Sequence, residues 1–85
     1  MMKNLSFSPP EMLQSRPRAV VTGWEEVLIE QHTGLFSYET SCIRVRTRAG
    51  ILSVCGENMV ISYFGTQDLL IRGKVTGLSL QEGVT

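Results

Sequence analysis

The chain has 85 residues, with 8 Lys and Arg set against 8 Asp and Glu. That balance removes any global pull toward nucleic acid or an anionic membrane surface, and no apolar run approaches the roughly 18 residues of a membrane span. With 42% hydrophobic and 19% charged residues, the composition predicts a soluble folded domain rather than a disordered segment. So short a chain buries only about 60% of its unfolded surface, and it needs support from an oligomer or a partner. The opening MMKNLSFSPP has one lysine and no apolar stretch of the kind a secretory leader carries. The thiols of Cys42 and Cys55 are therefore expected to stay reduced.

Residues 1–18 read as a mobile N-terminal arm ahead of a single β domain over residues 19–81. Pro9, Pro10 and Pro17 punctuate the arm. Ser8-Pro9-Pro10-Glu11 can open one helical turn through Gln14, which Pro17 ends. Phe7, Met12 and Leu13 are its side chains able to pack on a partner or a second copy.

From Ala19 the texture changes to short β-type runs cut by turn residues roughly every 8 to 12 positions, the spacing of an all-β sandwich or barrel. The predicted strands cover 19–22, 24–30, 35–39, the Ile43 to Arg46 run, 51–55, 59–64, 69–72 and a last run through Leu80. Thr22-Gly23 reads as a turn, and Gln31-His32-Thr33-Gly34 as a hairpin connection. Gly56-Glu57-Asn58 and Gly65-Thr66-Gln67-Asp68 read as two further turns. In the last run Val75 is out of phase with Leu78 and Leu80, and a glycine bulge at Thr76-Gly77 restores one apolar face. No window shows a sustained helical period, and connections this short predict antiparallel neighbours. The expected fold is all-β: a small antiparallel sandwich or open barrel of about seven or eight short strands.

The centre of the pattern is a hairpin over Ser41 to Gly56. Ile43 and Val45 alternate with Arg44 and Arg46, while Ile51 to Cys55 is apolar on both sides, as a central strand would be. Its register has two solutions. With Ala49-Gly50 as a two-residue loop, Cys42 and Cys55 share a face. With Arg48-Ala49 in a type I turn and Gly50 as a bulge, the cysteines point to opposite sides. The second suits alanine better, because it need not take positive φ.

Residues that carry chemistry are sparse. His32 is the one histidine, and it falls in a predicted turn. The two cysteines, 13 positions apart, match no zinc spacing, and no glycine pattern forms a phosphate loop. Glu25 and Glu26 are adjacent in a strand and point to opposite faces, so they cannot act as an acid–base pair. The expectation is no enzyme, no metal and no cofactor. Charge placement does stand out. Arg44, Arg46 and Arg48 line one face and Glu25, Glu26 and Glu30 mark another, which suggests an interface between copies or pairing within the sheet. Binding of nucleic acid is not expected of so short a basic strip without an aromatic platform beside it. Trp24, Tyr38, Tyr63 and Phe64 read by default as core or core-edge residues.

From Pro17 to Leu80 the chain resembles the YabP/YqfC family of sporulation proteins of endospore-forming bacteria, and most of all its YqfC type. The pattern runs through Pro17-Arg18, Gly23, Val27-Leu28-Ile29-Glu30, His32, Gly34, Tyr38, Ile43-Arg44-Val45, Thr47, Gly50, Leu52, Gly56, Leu70-Ile71 and Gly73. It departs at Gln31, where the family often has asparagine, and at Ser53 and Cys55, where it is usually more aliphatic. The resemblance implies a non-enzymatic protein of the mother cell, tied to spore maturation or coat assembly. It also implies a cytoplasmic location, with a membrane-anchored sporulation protein as companion and no membrane insertion of its own. Its partners are expected to be that protein, a second copy, or both. The candidate interface set is Arg44, Arg46, Arg48, Glu30, His32 and Tyr38. Rival readings are a small ligand-binding or catalytic barrel using His32, Arg44 and Glu30, and an anionic-surface binder acting through the three arginines.

Overall fold

The computed structural model describes residues 16–82. The turn expected at 11–14 and the packing side chains Phe7, Met12 and Leu13 lie outside them. The strands are β1 (Arg18–Thr22), β2 (Glu26–Glu30), β3 (His32–Glu39), β4 (Cys42–Thr47), β5 (Gly50–Phe64) and β6 (Asp68–Gln81). They form one sheet in the order β1, β2, β6, β5, β4, β3, and every pairing is antiparallel.

The fold class is the expected one, but the described residues hold six strands rather than seven or eight. Runs that read as separate strands are continuous. Gly56-Glu57-Asn58 does not turn the chain; β5 passes through it for 15 residues, with Asn58 at φ 54 and register shifts against β6 on either side of Met59. The 14-residue β6 absorbs its own irregularity in the same way. Cys55 pairs with Gly77 and Gly56 with Val75, so Thr76 is an extra residue. That is the bulge the apolar phase predicts.

These irregularities explain the core. Val27, Ile29, Ile43, Val45, Val54, Met59, Leu69 and Ile71 are fully buried, although the described residues include no helix to cover the sheet. A flat sheet leaves both faces wet, so complete burial requires the sheet to fold across itself. Val27 and Ile29 of β2 accordingly share one cluster with Ile43 and Val45 of β4, from which β6 and β5 separate them in strand order. One half consists of β1, β2, the start of β6 and the end of β5. The facing half consists of β3, β4, the start of β5 and the end of β6. At the bend Gly56 lies so close to β6 that a Cβ there would strike the Lys74 carbonyl oxygen.

The connection between β2 and β3 corrects the sequence reading. It is not a hairpin, since β2 pairs with β1 and β6 while β3 pairs with β4. Gln31 alone, at φ 65, lies between the strands, too short a loop to reverse the chain. It carries the chain from one half to the other.

The central hairpin combines parts of both registers. Arg48 and Ala49 form the turn, but Thr47 pairs with Gly50 and Cys42 with Cys55. Gly50 stays in the ladder at φ 137 rather than bulging out, and the Thr47 hydroxyl braces the turn. It donates to the Gly50 carbonyl at 2.8 Å and accepts from the Ala49 amide at 3.1 Å. The cysteines therefore share a face and are joined in a disulfide, against the expectation of reduced thiols on opposite sides.

Candidate interaction surfaces

His32 is a buried member of β3, at 6% exposure, rather than a turn residue. Its Nε2 lies 2.8 Å from the Gly65 carbonyl oxygen. A carbonyl only accepts, so Nε2 carries the proton. Nδ1 is buried without a partner among the described residues, and the ring lies 5.3 Å from that of Phe64. The backbone amide of His32 donates to the Gln67 carbonyl at 3.1 Å. A shallow groove beside it is lined by Thr33, Gly34, Tyr63, Phe64 and Thr66.

The other candidates are not gathered there. Arg44 pairs with Ser37 on β3, five positions beyond His32 and thus on the order of 15 Å away along the strand. It alternates with the buried Ile43 and Val45 and so stands on the outer face. Glu30 forms an ion pair with Arg18 at 3.2 Å and lines a separate groove with Gln67 and Asp68. None of the described grooves brings His32, Arg44 and Glu30 together. Tyr38 is half exposed, and its hydroxyl accepts from the Ile61 amide at 3.4 Å.

The arginine strip is shorter than it reads. Arg44 and Arg46 share the outer face of β4, while Arg48 lies in the turn. The Arg46 guanidinium lies 4.8 Å from the centre of the Phe36 ring, an aromatic neighbour the sequence reading missed. The acidic residues meet different cations. Glu26 pairs with Arg72 at 2.9 Å and Glu30 with Arg18, so these carboxylates are already engaged within their own half.

Apolar exposure is the larger signal. Trp24 is 61% exposed and sits at φ 55, a left-handed conformation that is uncommon and strained for a bulky side chain. Two backbone bonds to β6 hold it there. The Trp24 carbonyl accepts from Val75 at 2.8 Å and the Glu25 carbonyl from Gly73 at 3.1 Å. Beside it runs an open groove of about 640 Å³ lined by Glu25, Arg72, Lys74 and Val75. On the outer face of the same half Val20, Leu28, Leu70 and Tyr63 stand in register across β1, β2, β6 and β5. This apolar row is flanked by the two ion pairs. At the far end of β6, Leu78 and Leu80 are 40% and 44% exposed. Period-two reading assigns such leucines to a core, because sequence does not reveal that β6 outruns its neighbour β2.

Among the described residues no cluster of His, Cys, Asp and Glu could hold a metal, and no helix is long and apolar enough to cross a membrane. The sequence profile of the YabP family matches residues 14–85. The chain is also similar to the uncharacterized protein YqfC of Bacillus subtilis (strain 168), at 27% identity over 67 residues. That match covers 79% of this chain and 72% of the relative. No solved structure matches.

Proposed function

Because this chain belongs to the YabP family, we propose that it is a non-enzymatic sporulation protein that works by assembly. It acts in the mother cell during spore maturation or coat formation, with itself, with a membrane-anchored sporulation partner, or with both. Any contact with a membrane is then peripheral and made through that partner.

The observation that carries this reading is the amount of large apolar side chain left outside the core. Trp24, Phe36, Tyr38, Val60, Tyr63, Phe64, Leu78 and Leu80 are all at least 40% exposed. Exposed apolar groups gathered in rows and around grooves are the mark of a contact surface, and aromatic anchors dominate binding energy where such surfaces meet. For a domain of this size, association adds to the stability that a small core and the Cys42–Cys55 disulfide supply.

The test is deletion of the gene in its own spore-forming host. Vegetative growth should be unchanged while heat-resistant spores fall and are restored by a second copy of the gene. Normal spore numbers and normal coat morphology in the deletion strain would reject the reading.

A further inference from the structure

Among the described residues, folding the sheet across itself leaves four stretches of strand with a described neighbour on one side only: β1, β3, residues 60–64 of β5 and residues 76–81 of β6. An open edge is a template for further pairing unless something blunts it. β1 follows Pro17 and begins with Arg18. Two register shifts break up β3. On β5 the Tyr38 hydroxyl takes the Ile61 amide. The last stretch, Thr76-Gly77-Leu78-Ser79-Leu80-Gln81, has no proline and no charge, and past the bulge at Thr76 its pairing with β5 is regular. It begins where the β1–β2 connection stops, since Trp24 takes the Val75 amide and nothing described continues that line. Leu78 and Leu80, opposite Val54 and Leu52, present half-exposed side chains along it.

We propose that this edge pairs with the same edge of a second copy, antiparallel about a two-fold axis at Ser79, making one sheet continuous through both molecules. The proposal rests on the assembly reading and names its surface. In this register Leu78 of each copy lies opposite Leu80 of the other, Gly77 opposite Gln81, and Thr76 opposite Glu82. Apolar residues thus meet across the strands, and no like charges are brought together. An isologous contact requires such self-complementarity. A second copy is favoured over an extended peptide because both strands are already formed, so no segment has to be ordered on binding.

The experiment uses the full chain. Ser79→Cys, oxidised gently, should give a covalent dimer on a non-reducing gel that the unsubstituted chain does not give. A Leu78→Lys, Leu80→Lys variant and a Leu78→Glu, Leu80→Glu variant should each self-associate at least about tenfold more weakly than the original, and an equimolar mixture should recover the dimer. Thermal melts establish that both variants fold; if either does not, the Ser79→Cys result decides. A chain that stays monomeric and uncrosslinked overturns the proposal. So does a dimer indifferent to the lysines, which would use another face. A dimer that forms only after removal of residues 1–15 also overturns it, because the chain's own N-terminal segment would then occupy the edge. If the edge fails while the gene deletion still abolishes resistant spores, only this proposal falls. If the dimer stands and the deletion has no effect, the sporulation reading falls instead.

Discussion

His32 and Gly65 are 33 positions apart, and the imidazole Nε2 of one donates to the carbonyl of the other at 2.8 Å. The bond joins the start of β3, in one half of the folded sheet, to the turn between β5 and β6 in the other. The histidine is therefore a clamp between halves.

Replacing it should show this directly. His32→Ala leaves the Gly65 carbonyl without its donor and opens space beside Phe64, a combined loss of about 2–3 kcal/mol. Denaturant titration should show a lower midpoint with an unchanged slope. An unchanged midpoint would mean that the clamp contributes nothing.

The Cys42–Cys55 disulfide closes a loop of 13 positions across β4 and β5. By chain entropy it stabilises by about 3 kcal/mol. A Cys42→Ser, Cys55→Ser variant should keep the β-sheet circular dichroism and melt well below the oxidised protein. Two freely titrating thiols in a native sample that melts at the same temperature would contradict this.

Two glycines of neighbouring register should respond very differently to alanine. At Gly56 a Cβ would drive into the Lys74 carbonyl, whereas at Gly77 nothing lies within 4 Å. Gly56→Ala should cost more than about 3 kcal/mol or prevent folding, and Gly77→Ala less than about 1 kcal/mol. Equal effects would place the sharp approach of β5 to β6 elsewhere.

The ion pairs should matter little to stability. Arg72 and Glu26 side chains are 57% and 37% exposed, so solvent screens them and the pair contributes at most about 1 kcal/mol. Arg72→Ala should shift the urea midpoint only slightly, and added salt should remove even that difference. A large salt-independent loss would show that Arg72 acts through packing instead.

Local chemistry made much of this fold legible. The alternation of Ile43 and Val45 with Arg44 and Arg46 placed β4 with one face on the core, and the phase slip at Val75 located the bulge at Thr76. What stayed hidden depends on contacts distant in sequence. Gln31 at positive φ decides whether two strands form a hairpin or part company, and its identity does not reveal that choice. The hairpin register turned on Gly50 remaining in the ladder opposite Thr47, and the disulfide followed from it. His32 read as a turn residue because its partner Gly65 lies 33 positions away. The exposure of Leu78 and Leu80 arises from β6 being longer than its neighbour β2, a property of topology rather than of any short window.

That the chain acts by associating is tested most directly in its own host, by replacing the native gene with the Leu78→Glu, Leu80→Glu allele and counting heat-resistant spores. The expected result is a folded protein at normal abundance with spores reduced toward the level of the deletion strain, restored when the Leu78→Lys, Leu80→Lys allele is expressed beside it. Full spore resistance from the glutamate allele alone, with the purified variant shown to be monomeric, would contradict it.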